Sequence, residues 1–210
     1  MQSDVCDESP MKEQIKEQLR QISDRIQDSL HSMDNEDCCL LSNFDRIRES
    51  FQQMESMSAS FYLQCYLSPF TSKFSDISTT IQYLAKRRYG ALIVIQRDQA
   101  LENFMHSGIP LEAALTYSLL ESIFYPGNPL HDGAVLIQSD RIVSAANILP
   151  VSQTTVSRKK IGTRHRAAIG LTENTDALVL VVSEETGSTS FAYQGQLHPI
   201  YDLFQESKRN

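Results

Sequence analysis

No stretch of this 210-residue chain approaches the ~20 consecutive apolar residues of a membrane span, so no membrane partner is expected. The first thirty residues alternate charges with isolated aliphatics, whereas a secretory signal needs a basic start and an unbroken apolar core. Cysteine is missing from residues 67–210. Cys6, Cys38, Cys39 and Cys65 all lie in the first third, with no C-x-x-C pair, which argues against a zinc site or a catalytic thiol and predicts a soluble, reduced, cytoplasmic protein. There is no G-x-x-x-x-G-K-[ST] loop and no G-x-G-x-x-G after a strand, so two familiar nucleotide fingerprints are absent. An excess of positive charge is lacking too. Residues 1–66 hold 13 acidic and 6 basic side chains and residues 67–210 hold 13 of each, so the net charge of −7 comes from the first third. Without a basic footprint to release counterions from phosphates, nucleic acid is not an expected partner.

What is present divides near residues 66–75, where Ser68-Pro69 stops a helical pattern and the composition changes. The predicted organisation is an N-terminal helical hairpin over 1–66 and a body over 67–210. After Ser9-Pro10, a cap followed by a first-turn proline, Met11, Ile15, Leu19, Ile22, Ile26, Leu30 and Met33 fall at helical spacing as one apolar stripe. Met33 to Asp37 reads as a connector, and Leu40, Phe44, Ile47, Phe51, Met54 and Phe61 repeat the pattern. A hairpin with two narrow stripes has little core of its own, so it is expected either to cap the body or to serve regulation and oligomerisation.

In the body, Ile77, Ile81 and Leu84 predict a helix closed by Lys86-Arg87-Arg88 and Gly90. Ala91–Ile95, Ala134–Gln138 and Ala177–Val182 are short apolar runs of the kind found in buried strands. Ser107-Gly108-Ile109-Pro110 reads as loop, with a helix over Glu112 to Phe124. Ser139-Asp140 and Gln194-Gly195 sit at hairpin spacing. The predicted fold class is α/β: a mixed β-sheet flanked by helices, preceded by the α-helical hairpin.

Two stretches carry chemistry. Pro129-Leu130-His131-Asp132-Gly133-Ala134 leads into a buried strand, and an imidazole beside a carboxylate there can bind a divalent ion or position a hydroxyl for deprotonation. Gly162-Thr163-Arg164-His165-Arg166 precedes Ala167-Ala168-Ile169 at a predicted helix start, where two arginines oppose the helix dipole unless an anion lies between them. Glu184-Glu185, after an apolar strand, is either a solvated turn or part of an oxygen-rich site for Mg²⁺ or Mn²⁺. Asp132-Gly133 alone is also a common turn, and Arg164-His165-Arg166 alone an ordinary exposed one. The residues thus point to an α/β protein that handles phosphates and leave its reaction open.

His131-Asp132-Gly133-Ala134 and Gly162-Thr163-Arg164-His165-Arg166-Ala167-Ala168 resemble the paired DGA and RHR signatures of the diadenylate cyclase family. Gly90 to Ile95, Leu119 to Phe124, Leu149-Pro150, Ile169-Gly170-Leu171 and Val181 to Gly187 resemble that domain in the same order, covering about residues 76 to 200. In having a helical pair where other members carry membrane helices, the chain is most similar to the soluble type of spore-forming bacteria. The resemblance implies a nucleotidyltransferase that condenses two ATP into cyclic di-AMP, in a homo-oligomer whose active sites face each other. It implies Asp132, Arg164 and Arg166 as catalytic residues and Leu130, Gly133, Ala134, Gly162, Thr163, His165 and Ser183 as ATP contacts. His131, Asp132, Glu184 and Glu185 are the implied ligands of Mg²⁺ or Mn²⁺. A nucleotide-binding sensor without turnover is the alternative.

Overall fold

The computed structural model describes residues 8–32, 40–153 and 161–200. The chain divides into two compact units, Met1–Tyr62 and Leu63–Asn210.

The first unit holds α1 (Glu8–Ser32) and the greater part of α2 (Leu40–Leu67). The Arg25 guanidinium donates to the Arg46 carbonyl and to the Ser50 hydroxyl, and this ties the later part of α1 to the early part of α2 in the antiparallel sense of a hairpin. The single apolar stripe expected on α1 is split in two. Met11 and Ile22 are buried, whereas Leu19, Ile26 and Leu30 are 46%, 44% and 59% exposed. Leu41, Phe44 and Phe51 of α2 are exposed as well. One α-helical face is only about 100° wide, and a 4,4,3 spacing drifts across it, so one partner helix covers only part of the set. The connector at Met33 to Asp37, with Cys6, Cys38 and Cys39, lies outside the described residues. Cys65 is disulfide-bonded, which corrects the expectation of reduced thiols throughout.

The second unit is built on seven strands: β1 (Ala91–Ile95), β2 (Ile109–Ala114), β3 (Ala134–Gln138), β4 (Arg141–Asn147), β5 (Leu178–Val182), β6 (Thr189–Tyr193) and β7 (Gln196–Ile200). Their order across the sheet is β2-β4-β3-β1-β5-β6-β7. Only β1 and β3 run parallel, with Ile93 opposite Val135, and the other neighbours are antiparallel. The three central strands are the ones announced by unbroken apolar runs, and nearly every residue in them is buried. Alternation sends Leu92, Val94, Ala134, Leu136, Val179 and Val181 to one face, where Ala167, Ala168 and Leu171 of α5 (Thr163–Thr172) complete a core. Ile93, Ile95, Val135, Ile137, Leu178 and Leu180 face the other way. Ile77, Ile81 and Leu84 of α3 (Phe74–Arg87) and Leu120 and Ile123 of α4 (Tyr117–Ile123) are the buried helical residues there.

Two boundaries differ from expectation. The loop at Ile109-Pro110 and the first residues of the expected 112–124 helix form an edge strand, β2, and α4 begins only at Tyr117, where the Thr116 hydroxyl accepts from the Leu119 N–H. Pro110 is tolerated because an edge strand needs no donor on its outer side, and Glu112 at φ 49° marks the register shift against β4. α3 ends at Arg88, which takes the left-handed conformation at φ 57°, two residues before Gly90. The β3–β4 turn is fastened to the start of the unit by Asp140. Its carboxylate accepts from the Thr71 hydroxyl (2.8 Å), the Ser72 N–H (2.8 Å) and the Ser72 hydroxyl (2.6 Å), and the Ser72 and Thr71 hydroxyls hold it below the usual carboxylate range. The stretch Arg158 to Lys160 and the segment with Tyr201, Leu203 and Phe204 lie outside the described residues.

Candidate active site

Strand direction gathers the candidate residues at one end of the sheet. β1 and β3 start there, and antiparallel β5 ends there, since Ala91 at the start of β1 lies opposite Val182 at the end of β5. The Asp132 turn enters β3, the Ser183–Gly187 turn leaves β5, and the start of α5 reaches the same end through Arg164. The Arg164 guanidinium is paired with Glu184 (Nη1 to Oε2, 2.8 Å) and lies directly on the backbone of Gly90.

The turn before β3 is organised by Asn128. Its amide donates to the Ser122 carbonyl (2.8 Å), its side-chain oxygen accepts from the Leu130 N–H (2.9 Å), and its own carbonyl accepts from the His131 N–H (3.1 Å). The same carbonyl faces His131 Nδ1, which leaves Nε2 as the ring nitrogen without a partner among the described residues. Asp132 is exposed, and its carboxylate makes no hydrogen bond or ion pair among the described residues. Gly133 has φ +115°, and a Cβ there would stand 2.7 to 2.9 Å from the backbone of Ala146 and Asn147. Ala134 is held in turn by the buried Asn147, whose amide donates to the Ala134 carbonyl (2.8 Å) and to the Ser144 hydroxyl (3.0 Å). The pairing of β3 with β4 shifts register here, so the turn carrying Asp132 is seated on an irregular stretch of β4.

α5 begins at Thr163 with Gly162 as its N-cap and no side-chain cap, which leaves the N–H groups of its first turn for a ligand. Gly162 and Thr163 are exposed, as is Arg166. The Arg166 guanidinium donates to the Ser152 carbonyl (3.0 Å), and the Ser152 N–H donates back to the Arg166 carbonyl (3.0 Å). Gly170 lets this segment lie against the helix, for a Cβ would meet the Pro150 carbonyl oxygen at 2.4 Å. His165 is half-buried, and burial pushes its ring below the ordinary 6.5 against an opposing effect of Glu185. It stands on the wall of a cavity of about 560 Å³ bordered by Ile81, Gln82, the Ser188–Ser190 strand start and Pro199. Asp132 and Arg164 do not line that cavity.

Of the expected residues, the structure brings Arg164, Glu184 and the start of α5 together. His131 and Asp132 stand at the entry to β3, and Glu184 and Glu185 at the exit from β5, with β1 between those strands. Among the described residues no three His, Cys, Asp or Glu side chains gather as a metal-binding group. The donors still suit a hard divalent cation. A carboxylate without a protein partner and an imidazole with a free Nε2 lie next to each other, and such ions take their remaining ligands from phosphates and water. Ser183 closes the β5–β6 turn, its carbonyl accepting from the Gly187 N–H (2.9 Å). Sequence reasoning missed Gly90, Asn128, Asn147 and Ser152. They bear no reactive group, and only Asn128, in a Gly-Asn-Pro turn, had a local signal.

Two family models match the chain: DisA bacterial checkpoint controller nucleotide-binding (DAC) over residues 78–197, and the N-terminal region of diadenylate cyclase CdaS over residues 2–70. The diadenylate cyclase CdaS of Bacillus thuringiensis (strain BMB171) is 50% identical over 194 residues, which is 90% of this chain and 96% of that protein. The cyclic di-AMP synthase CdaS of Bacillus subtilis (strain 168) is 45% identical over 95% of this chain and 96% of its own. A crystal structure from Bacillus cereus, described as a hypothetical membrane spanning protein, superposes with a TM-score of 0.80 at 49% identity, covering 92% of this chain and 95% of its own. No described helix here is long and apolar enough to cross a membrane. DacA from Staphylococcus aureus superposes with a TM-score of 0.59 at 42% identity, over 61% of this chain and 86% of its own.

Proposed function

The chain belongs to the diadenylate cyclase family, and from that premise we propose that it condenses two ATP into cyclic di-AMP and releases two pyrophosphates. The observation that supports the reading within the molecule is the joint placement, at one end of the sheet, of an uncommitted carboxylate, Asp132, and a helix start bearing Arg164 and Arg166. In each half-reaction the 3′-hydroxyl of one nucleotide attacks the α-phosphorus of the other. One O–P bond forms, the bond to pyrophosphate breaks, and the hydroxyl proton departs. Asp132 takes or orients that proton. Thr163, Arg164 and Arg166, with the first N–H groups of α5, hold the phosphates, and preorganised donors at developing charge are the main source of rate in phosphoryl transfer. Leu130, Gly133 and Ala134 lie along the nucleoside, and Gly162, His165 and Ser183 flank the phosphates.

The family chemistry calls for a divalent cation, which when bound neutralises phosphate charge. In this chain Asp132, His131 through Nε2, and Glu184 or Glu185 would hold Mg²⁺ or Mn²⁺. Two nucleotides must meet in opposite orientations, and one sheet end presents one site, so the working form is a homo-oligomer with facing sites. Residues 1–66 govern that assembly, a reading supported by the exposed Leu19, Ile26, Leu30, Phe44 and Phe51. The use of ATP assigns the reaction to the cytoplasm.

The test is mass spectrometry of the nucleotides formed from ATP, with Mg²⁺ and Mn²⁺ in separate tubes and Asp132→Asn alongside. Cyclic di-AMP from the wild type alone bears out the assignment. ATP that binds without turnover under both metals would make the protein a sensor instead. Phe44→Asp with Phe51→Asp, in the full chain, should change the mass read by light scattering, and an unchanged mass removes the assembly role of these helices.

A further inference from the structure

We infer that Gly90 is a positioning residue for Arg164: it presents a backbone without a side chain, on which the guanidinium is seated at the mouth of the site. This rests on the reading of Arg164 as a phosphate holder and adds the residue that places it. A Cβ built on Gly90 would lie 2.3 Å from Arg164 Nη1, 2.6 Å from Cζ and 3.1 Å from Nη2. The group therefore occupies the volume that any side chain at position 90 would fill. Conformation does not require the glycine, because Gly90 has a φ outside the left-handed region that other residues avoid. Position 90 is buried, it directly precedes β1, and β1 is flanked by β3 with its Asp132 turn and by β5 with its Glu184 turn. Space for the guanidinium is thus what the glycine provides.

The seat also sets which donors are left. Glu184 accepts from Nη1 at 2.8 Å, and among the described residues Nη2 and Nε have no partner, so the rest of the fork is free for two oxygens of one phosphate. The Arg164 side chain is 27% exposed, confined on its inner side by Gly90 and open outward. A methyl group at position 90 would push the guanidinium off this seat. The displaced atoms end a flexible side chain, so the fold can absorb the change while the site cannot, and misplacing a reacting partner by an ångström can cost roughly a hundredfold in rate.

The experiment is a double-mutant cycle in the full chain with Gly90→Ala, Arg164→Ala and both together. It reads kcat, the KM for ATP and the melting temperature. Dissociation constants for magnesium-ATP, from calorimetry, carry the cycle where turnover falls below detection. Gly90→Ala should lower kcat/KM at least about tenfold with the melting temperature kept, and should add nothing once Arg164 is alanine. Equal losses in both backgrounds, no loss from Gly90→Ala, or a loss that follows unfolding would each overturn the inference. If Arg164→Ala by itself left turnover and ATP affinity intact, the reading of Arg164 would be the part that fails.

Discussion

Gly133→Ala and Gly127→Ala make a matched pair, because the same added methyl meets different surroundings within one turn. Both glycines have positive φ, +115° and +93°, beyond the band of about +50° to +70° that other residues tolerate. Around Gly127 nothing lies within 4 Å of the new Cβ, so only backbone strain is added, roughly 1–2 kcal/mol. At Gly133 the Cβ would stand 2.7 Å from the Ala146 carbonyl carbon and 2.8 Å from the Asn147 carbonyl oxygen. Backbone atoms inside a hydrogen-bonded sheet cannot step aside as a side-chain end does, so overpacking adds roughly 1–3 kcal/mol more. At about 2–4 °C per kcal/mol for a chain of this size, Gly127→Ala should lower the melting temperature by roughly 2–8 °C and Gly133→Ala by roughly 4–20 °C. Calorimetry of the two variants gives the difference directly. Cyclic di-AMP formation gives the second readout: Gly133→Ala moves Asp132 and should lose about a hundredfold, with Gly127→Ala losing far less. Equal falls in melting temperature for the two variants would show that Gly133 is not clamped against β4 and refute the reasoning.

Other tests follow from groups away from that turn. Asp140→Ala removes three hydrogen bonds to a carboxylate at a partly exposed site and should cost roughly 1–3 kcal/mol in urea unfolding. Because the Ser72 and Thr71 hydroxyls lower the folded-state value, Asp140 contributes stability above its ordinary 3.8 that is lost as pH falls through the lower folded value. The acid limb of the wild type should therefore be steeper than that of Asp140→Asn, and coincident limbs would sink the account. For His165, whose folded value lies below 6.5 through burial, the unfolded chain takes up the proton first, so stability should decline as pH drops through 6.5 and below. Glu185→Gln removes the opposing charge and should lower the ring's midpoint in an NMR titration further. A midpoint that rises contradicts the assignment.

Burial on both faces is what made β1, β3 and β5 legible, since a strand covered on each side is a run of Ala, Leu, Ile and Val with no polar interruption. β2 had no such signature. It is an edge strand with mostly exposed residues, a proline and a left-handed Glu112, and each of those features also belongs to loops. The α1 stripe was visible as a period, but a period does not say which of its members a partner will cover. At the site, Asp132, Arg164 and Glu184 were legible as charged groups in turn positions. The pairing of Arg164 with Glu184 was not, because it joins the start of α5 to the end of β5. Gly90 and Asn147 act through volume and one amide, and neither property means anything until strands distant in sequence are neighbours.

In fully parallel sheets ligands collect beyond the carboxyl ends of the strands, and a search guided by that habit would inspect the far side of this one. Here β1, β3 and α5 all begin at the end that bears Asp132 and Arg164, while β4 and β5 finish there. In this mixed sheet it is the start of α5 that turns backbone N–H groups outward there, and they carry partial positive charge independent of any side chain. An attraction written in chain direction cannot be titrated away, screened by a rotamer change or erased by one substitution. Reversing it would take a different topology.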